Sequence, residues 1–378
     1  MFVAIGLLIS IFAFGEITSS IIVPNNKFFY VFALILMGML CLRYGQGTDY
    51  HEYEIQYLNI NSESNIWVNS LYHGELGWFV LVMIFKRLGF SFFEMIGVLS
   101  FVMMYSTIRA IKRYSPYRIL SLILLYPTFY LTYYYSAIRQ GLVLSIFLGF
   151  GIQWLIEKKY FKYFVLVALL SMIHTSAIVL LIIPFALIIK DDKISKYIIV
   201  ALLCMAIAGY TGFLNSIVSR FGFYKGYFTV SISYLAILLR IIFFYIVDKM
   251  YKATRDDTND EKQVEDVLYY IYAVGFVMYL MFAFSGTLSQ RMTMPMKGVE
   301  IILIPMLAFK SFQCQENCLF SIPLLMLIVI LALDVEFIKN INSYIEQGNY
   351  YDWINVFNYP YVSVFNKEDI FYYISDFD

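Results

Sequence analysis

The run Tyr133-Tyr134-Tyr135-Ser136-Ala137-Ile138-Arg139-Gln140-Gly141-Leu142-Val143-Leu144-Ser145-Ile146-Phe147-Leu148 decides what kind of protein this is. From Ile138 to Glu157 the chain stays apolar without alternating, close to the ~20 residues that cross a bilayer as one helix. A membrane-barrel strand would be about half as long and would alternate polar with apolar side chains. Similar runs extend over Phe2 to Ile22, Phe28 to Leu42, Leu76 to Gly89, Phe92 to Ile111, Arg118 to Tyr135, Tyr160 to Ile173 and Thr175 to Lys190. They continue over Ser195 to Phe213, Val230 to Lys249, Glu265 to Ser285, Gly298 to Lys310 and Leu319 to Val335. Several are short for a straight crossing, so the expectation is an all-α polytopic membrane protein with about twelve transmembrane helices.

Composition agrees. Of 378 residues, 61% are hydrophobic and 14% charged, against roughly 45–50% and about 25% in soluble domains. One helical membrane domain is expected over residues 1–335, followed by a polar and aromatic tail over 336–378 that caps the bundle or lies in the interface. Zero formal net charge gives no reason to expect nucleic acid. The 34 tyrosines and 35 phenylalanines exceed what interfacial belts need and suit either sugar-handling surfaces or membrane packing. Met1 to Val23 lacks a basic n-region and a small-residue cleavage site, so it is read as a retained helix. Cys314 and Cys318 have no second Cys/His pair, and no HExxH, P-loop, GxSxG or dinucleotide fingerprint occurs, so neither a metal nor a nucleotide cofactor is expected.

Lysine and arginine set the orientation. The turns with Arg109, Lys112, Arg113 and Arg118, with Lys158, Lys159 and Lys162, with Lys190, Lys193 and Lys196, and with Lys249, Lys252, Arg255 and Lys262 belong in the cytoplasm. The Ser136 to Gln140 turn, the His174 turn, Asn215 to Ser231, Gly286 to Lys297 and the tail are then extracytoplasmic. The acidic loop after the second helix, Arg43 to Glu75, also reads as extracytoplasmic, which requires that Leu76 to Gly89 does not cross fully. Lys86 and Arg87 interrupt that segment, and a short re-entrant piece fits where protein covers it.

Arginine in hydrocarbon costs about 2.5–3.5 kcal/mol on insertion scales, so arginines in or beside spans are functional candidates. Arg43 leads into Gly45-Gln46-Gly47, whose flexible backbone can turn amides toward a phosphate. Arg139 opens an apolar helix, a poor place for a cation unless an anion shares that terminus. Arg291 precedes a span, and Arg240 lies about 15 Å into one at helical rise; carboxylate pairing and substrate binding are both open to it. His174 and Asp49 are the candidate bases.

These residues resemble a known family. Arg43-Tyr44-Gly45 with Asp49-Tyr50 and Tyr53, Glu75-Leu76-Gly77-Trp78, Ile138-Arg139-Gln140, Ile173-His174-Thr175-Ser176-Ala177, Arg220-Phe221 with Tyr224 and Tyr227, and Arg291 before Glu300 and Pro305 look like the EpsG-like branch of the Wzy polysaccharide polymerases. The resemblance implies a multi-pass enzyme of the bacterial inner membrane, active at its extracytoplasmic face, with a fold akin to the glycosyltransferase C superfamily. It implies an undecaprenyl-diphosphate-linked oligosaccharide as substrate, membrane lipid around it, and a flippase and chain-length regulator as partners. No cofactor is needed for that reaction. The parts then assigned are Arg139, Arg291, Arg43 and Arg240 for the diphosphate, Asp49 or His174 as base, and Tyr50, Tyr53 and Tyr135 for sugars. A lipid-linked oligosaccharide flippase and a membrane O-acyltransferase are the alternatives.

Overall fold

The computed structural model describes residues 1–18, 26–60, 75–189, 197, 200, 233–254, 262–313 and 335–374. The expected span Ser195 to Phe213, nearly all of Leu319 to Val335, and the stretch with Arg220, Tyr224 and Tyr227 lie outside them. The described residues are helical, apart from turns, loops and two isolated bridges, one joining Arg43 to Ser363 and one, Tyr350 to Ile374, within the tail. In chain order they form α1 (Phe2–Thr18), α2 (Asn26–Leu42), α3 (Tyr50–Asn59), α4 (Leu76–Arg87), α5 (Phe92–Tyr114) and α6 (Arg118–Leu125), which runs into a π-helix, Tyr126–Ser136. Then come α7 (Ile138–Ile156, with a π-helical stretch at Phe147–Gly151), α8 (Tyr160–Ile173), a 3-10 stretch Thr175–Ile182 into α9 (Ile183–Ile189), α10 (Tyr234–Thr254), α11 (Lys262–Met281), α12 (Gly286–Lys297), α13 (Glu300–Gln313) and α14 (335–347).

Among the described residues three helices are long and apolar enough to cross a bilayer alone: Phe92–Tyr114, Ile138–Ile156 and Gln263–Met281. The pair α12 and α13, bent by 53°, makes a fourth if it is one broken span. Here the structure corrects an expectation, because Gly286 to Lys297 was read as a connection and is a helix. Its signal is short: Ser285 accepts a cap hydrogen bond from Leu288 N at 3.4 Å, and Pro295 and Gly298 stop it running straight into α13.

The chain divides into two compact units. The first holds Met1–Phe150, Met172–Thr175 and Ile322–Asp378. In it α2 and α5 are antiparallel: Tyr30 lies under Lys112 at 6.0 Å, while at the other end Gly97 sits beside the Cys41 carbonyl. α4 is about 18 Å long at helical rise and runs beside α3 in the same direction, with Trp78 5.4 Å from Tyr53 and Lys86 Nζ donating to Leu58 O at 3.3 Å and Ile60 O at 2.5 Å. Arg43 to Ile60 and Glu75 therefore lie at the end of α5 opposite the basic turn at Arg109 to Arg118. α5 restarts at a capping box in which Glu94 N donates to Ser91 Oγ and Ser91 N to Glu94 Oε2.

α1 is tied to α6 by a carboxylate. Glu16 Oε2 accepts from Ile119 N at 2.9 Å and Leu120 N at 3.0 Å, capping a helix whose own N-cap residue, Tyr117, makes no side-chain cap hydrogen bond. Glu16→Ala is expected to lower stability by about 1–2 kcal/mol, as loss of a cap does, read as a lower midpoint in thermal unfolding of the detergent-solubilised protein.

Where Arg118 to Tyr135 was expected as one uniform helix, the second half widens into π-turns starting at Pro127, whose missing N–H breaks the ordinary ladder. Carbonyls of this stretch find partners in the tail. Asn340 Nδ2 donates to Pro127 O at 3.0 Å, and the Tyr344 hydroxyl donates to Leu131 O.

The second unit holds Gly151–Ser171 and Ser176–Ser321. α10 and α11 carry a reciprocal clasp: the Tyr251 hydroxyl donates to Asp266 at 2.6 Å, the Tyr269 hydroxyl to Asp248 at 2.5 Å, and the rings stack at 3.7 Å. Lys310 pairs with the buried Glu265, to which Thr254 also donates at 3.2 Å.

Candidate functional site

The polar groups of the first unit gather where α2 ends. Gly45 and Gly47 take left-handed φ values of 65° and 112°, which let the chain turn sharply. A Cβ on Gly47 would run into the Tyr135 carbonyl, so the loop presses on the end of the π-helix, and Thr48 N donates to Ser136 Oγ at 3.1 Å. The amides that flank Gly45-Gln46-Gly47 are engaged within the protein: Tyr44 N donates to Val362 O at 2.9 Å, as Thr48 N does to Ser136. The buried Gln46 side chain fixes the tail in turn, giving a hydrogen bond to Pro360 O at 2.8 Å and accepting one from Val362 N at 3.0 Å.

Arg43 is 0% exposed. Its Nη1 reaches Leu40 O at 3.2 Å and Ser100 Oγ at 3.3 Å, and the guanidinium lies 4.9 Å from the Tyr135 ring centre. Nε and Nη2 have no hydrogen-bond partner among the described residues, and neither has the Tyr50 hydroxyl. A cation enclosed by rings and facing no carboxylate acts through its field, which favours negative charge nearby. Tyr50, Tyr53 and Tyr135 are likewise packed inside, with Tyr50 against Phe92 at 5.3 Å and Tyr135 against Tyr130 at 5.2 Å.

Arg139 does share its helix terminus with an anion, and the anion is Glu75. Arg139 Nη1 and Glu75 Oε2 are 2.5 Å apart, with side chains 21% and 13% exposed. Glu75 is the N-cap residue of α4, with extended backbone, and its other oxygen accepts from Thr175 N at 3.3 Å and Thr175 Oγ1 at 3.4 Å. Close approach is possible because residue 77 is glycine: a Cβ there would stand 2.7 Å from the Met172 carbonyl. Next to Thr175, His174 Nε2 is 3.2 Å from Gln140 Nε2. Burial works to raise the Glu75 pKa, but Arg139, His174 and the Thr175 amide outweigh it and hold the carboxyl below its ordinary value of 4.5.

Tyr53 joins Asp49 to this cluster. The Arg139 guanidinium lies 5.6 Å from its ring centre, and burial pushes its hydroxyl pKa up, so it remains a donor. Asp49 stands one turn earlier, half-exposed, accepting from Thr48 Oγ1 at 2.8 Å and making no cap bond to α3. Arg139, Asp49 and His174 thus converge, with Arg43 at the inner end of the same loop. Glu75 and Gln140 complete the set, and sequence reasoning gave neither a role. The only signal for Glu75 was its place in Glu75-Leu76-Gly77-Trp78, a carboxylate just ahead of a short helix.

Arg240 and Arg291 belong to the second unit. Arg240 Nη1 pairs with Glu300 Oε1 at 2.6 Å, the carboxylate alternative open to it, beside a cavity of about 20 Å³ that Tyr272, Thr293 and Lys297 also line. That volume holds about one water, and the buried Tyr272 hydroxyl has no protein partner among the described residues. Arg291 stands half-buried on α12. Among the described residues no group of three or more His, Cys, Asp or Glu side chains is placed to hold a metal ion.

Membrane-length apolar helices with a polar cluster at one helix end define a helical membrane protein. The chain belongs to the EpsG family, whose model matches residues 26–373. The match runs beyond Pro305, where the quoted motifs stop, and into the tail. At family level this is a polysaccharide-polymerase type of protein. Neither the curated proteins nor the solved structures searched contain a match to the chain.

Proposed function

We propose that this chain joins lipid-diphosphate-linked oligosaccharide repeat units into a surface polysaccharide, at the extracytoplasmic face of a bacterial inner membrane. The observation that carries the reading is the convergence of Arg139, Glu75, His174, Gln140, Tyr53 and Asp49 at the end of α2, opposite the basic turn at Arg109 to Arg118. About twelve crossings and a fold akin to the glycosyltransferase C superfamily go with it, as does an undecaprenyl carrier.

The chemistry needs two things of the protein. As the anomeric carbon–oxygen bond to the diphosphate breaks, the electron pair goes to the phosphate oxygen, and cations must hold that charge. Arg139 is the direct contact, and Arg43 adds its field from beneath. As the new carbon–oxygen bond forms, the acceptor hydroxyl gives its proton to a base. His174 takes this role, since a carboxylate beside it supports the imidazolium, while Asp49 is already accepting from Thr48. Arg240, paired to Glu300, is a structural cation in this reading.

Purified protein mixed with lipid-linked repeat unit is expected to give a ladder of glycans spaced by one repeat, and a ladder missing at full substrate binding would overturn the proposal. The broken pair α12 and α13 favours a second reading, translocation of the same lipid-linked glycan, since transporters build sites at such breaks. Movement across vesicles without elongation would select it.

A further inference from the structure

The Arg139–Glu75 pair raises an electrostatic question. Arg139 offers one guanidinium, and its Nη1 is taken by Glu75 Oε2 at 2.5 Å. The Arg139 Nε has no hydrogen-bond partner among the described residues, but a diphosphate that takes Nη1 meets an ionised carboxylate on the same nitrogen, and repulsion between the two anions favours one of them over both. Glu75 has somewhere to go. Its Oε1 already faces the amide and hydroxyl of Thr175, the residue after His174, at 3.3 and 3.4 Å.

We propose that Glu75 is a positioning carboxylate that occupies the anion position on Arg139 until a diphosphate displaces it onto the His174–Thr175 turn. Displacement links two events. Arriving diphosphate takes Arg139, and the released carboxylate moves nearer His174, where its charge makes the imidazole a stronger base. Base strength then rises when a leaving group is in place, so water is not activated in an empty site. The Glu75 side chain swings only between two partners already beside it, since Gly77 keeps α4 packed on Met172. This inference rests on the polymerase reading for the role of His174, but its first half, competition for Arg139, does not.

The test uses inorganic pyrophosphate as probe on the full chain in detergent. Glu75→Gln is expected to bind it about tenfold more tightly than wild type, the order of a 1.4 kcal/mol gain, while Arg139→Gln loses binding. With lipid-linked repeat unit, Glu75→Gln is expected to lower both KM and kcat, the latter by about 10²-fold, the lower end of what a positioned base contributes. Glu75→Asp, which keeps the charge on a shorter arm, is expected to fall between. Unchanged or weaker pyrophosphate binding by Glu75→Gln, with the protein still monodisperse and Glu75→Asp also unchanged, would overturn the proposal. A raised KM with lowered kcat would do so too, since a merely structural carboxylate gives that pattern. If wild type binds pyrophosphate competitively with Glu75 yet makes no ladder, the polymerase reading fails and the competition stands.

Discussion

Arg139→Ala is expected to abolish detectable ladder formation, with elongation falling by at least about 10²–10³-fold, the effect of removing one donor aimed at developing negative charge. It should also destabilise the first unit, because Glu75 would remain largely buried without its cation, a loss of about 3 kcal/mol. These two effects separate. In Arg139→Ala/Glu75→Ala no charge is stranded, so the thermal midpoint should recover most of the loss while elongation stays absent. The pair also has a pH signature. Glu75 is held below its ordinary value of 4.5, so its contribution is complete above that value and is lost as pH falls through the lowered one. Wild type should therefore lose more stability than Arg139→Ala between pH 6 and about pH 3. If Arg139→Ala left the chain-length distribution unchanged, its catalytic role would be abandoned.

How much of this could be read in the residues differs from element to element. The apolar run after Ile138 was decisive, since only a helix satisfies its backbone in lipid, and α7 forms there. The short α4 was legible from Lys86 and Arg87, where the helix ends after 12 residues, and Lys86 turns out to cap α3. Arg139 announced its need for an anion through its position at a helix start. What the sequence could not disclose was that the anion is Glu75, 64 residues earlier, because pairing across that distance depends on how α4 packs beside α3. The same limit hid the fate of Arg43. Two glycines, Gly45 and Gly47, follow it closely in sequence and suggested an open loop, whereas the rings that bury it come from the π-helix and the tail. The π-helix itself was unreadable because its carbonyls are satisfied by side chains some two hundred residues away.

Ending the chain before α14 is expected to be as damaging as losing Arg139, although the tail bears none of the candidate catalytic side chains. Its removal strands Pro127 O and Leu131 O of the π-helix, Tyr44 N, and both ends of the Gln46 amide. Each buried polar group left unpaired costs about 1–3 kcal/mol, and several together approach the whole stability of a domain, about 5–15 kcal/mol. The truncation also uncovers rings, since Phe2 packs on Tyr359 at 5.6 Å and Tyr135 on Tyr344 at 6.3 Å. Two point variants separate positioning from folding. Tyr344→Phe removes only the hydroxyl that donates to Leu131 O, about 1 kcal/mol, and should loosen the π-helix that leads into Arg139. Gln46→Leu frees the tail from the loop and should expose residues 350–366 to limited proteolysis while α14 stays protected. A truncated chain that kept its thermal midpoint and its ladder would mean that the tail only covers the loop, and that the packing of the π-helix holds Arg139 in place unaided.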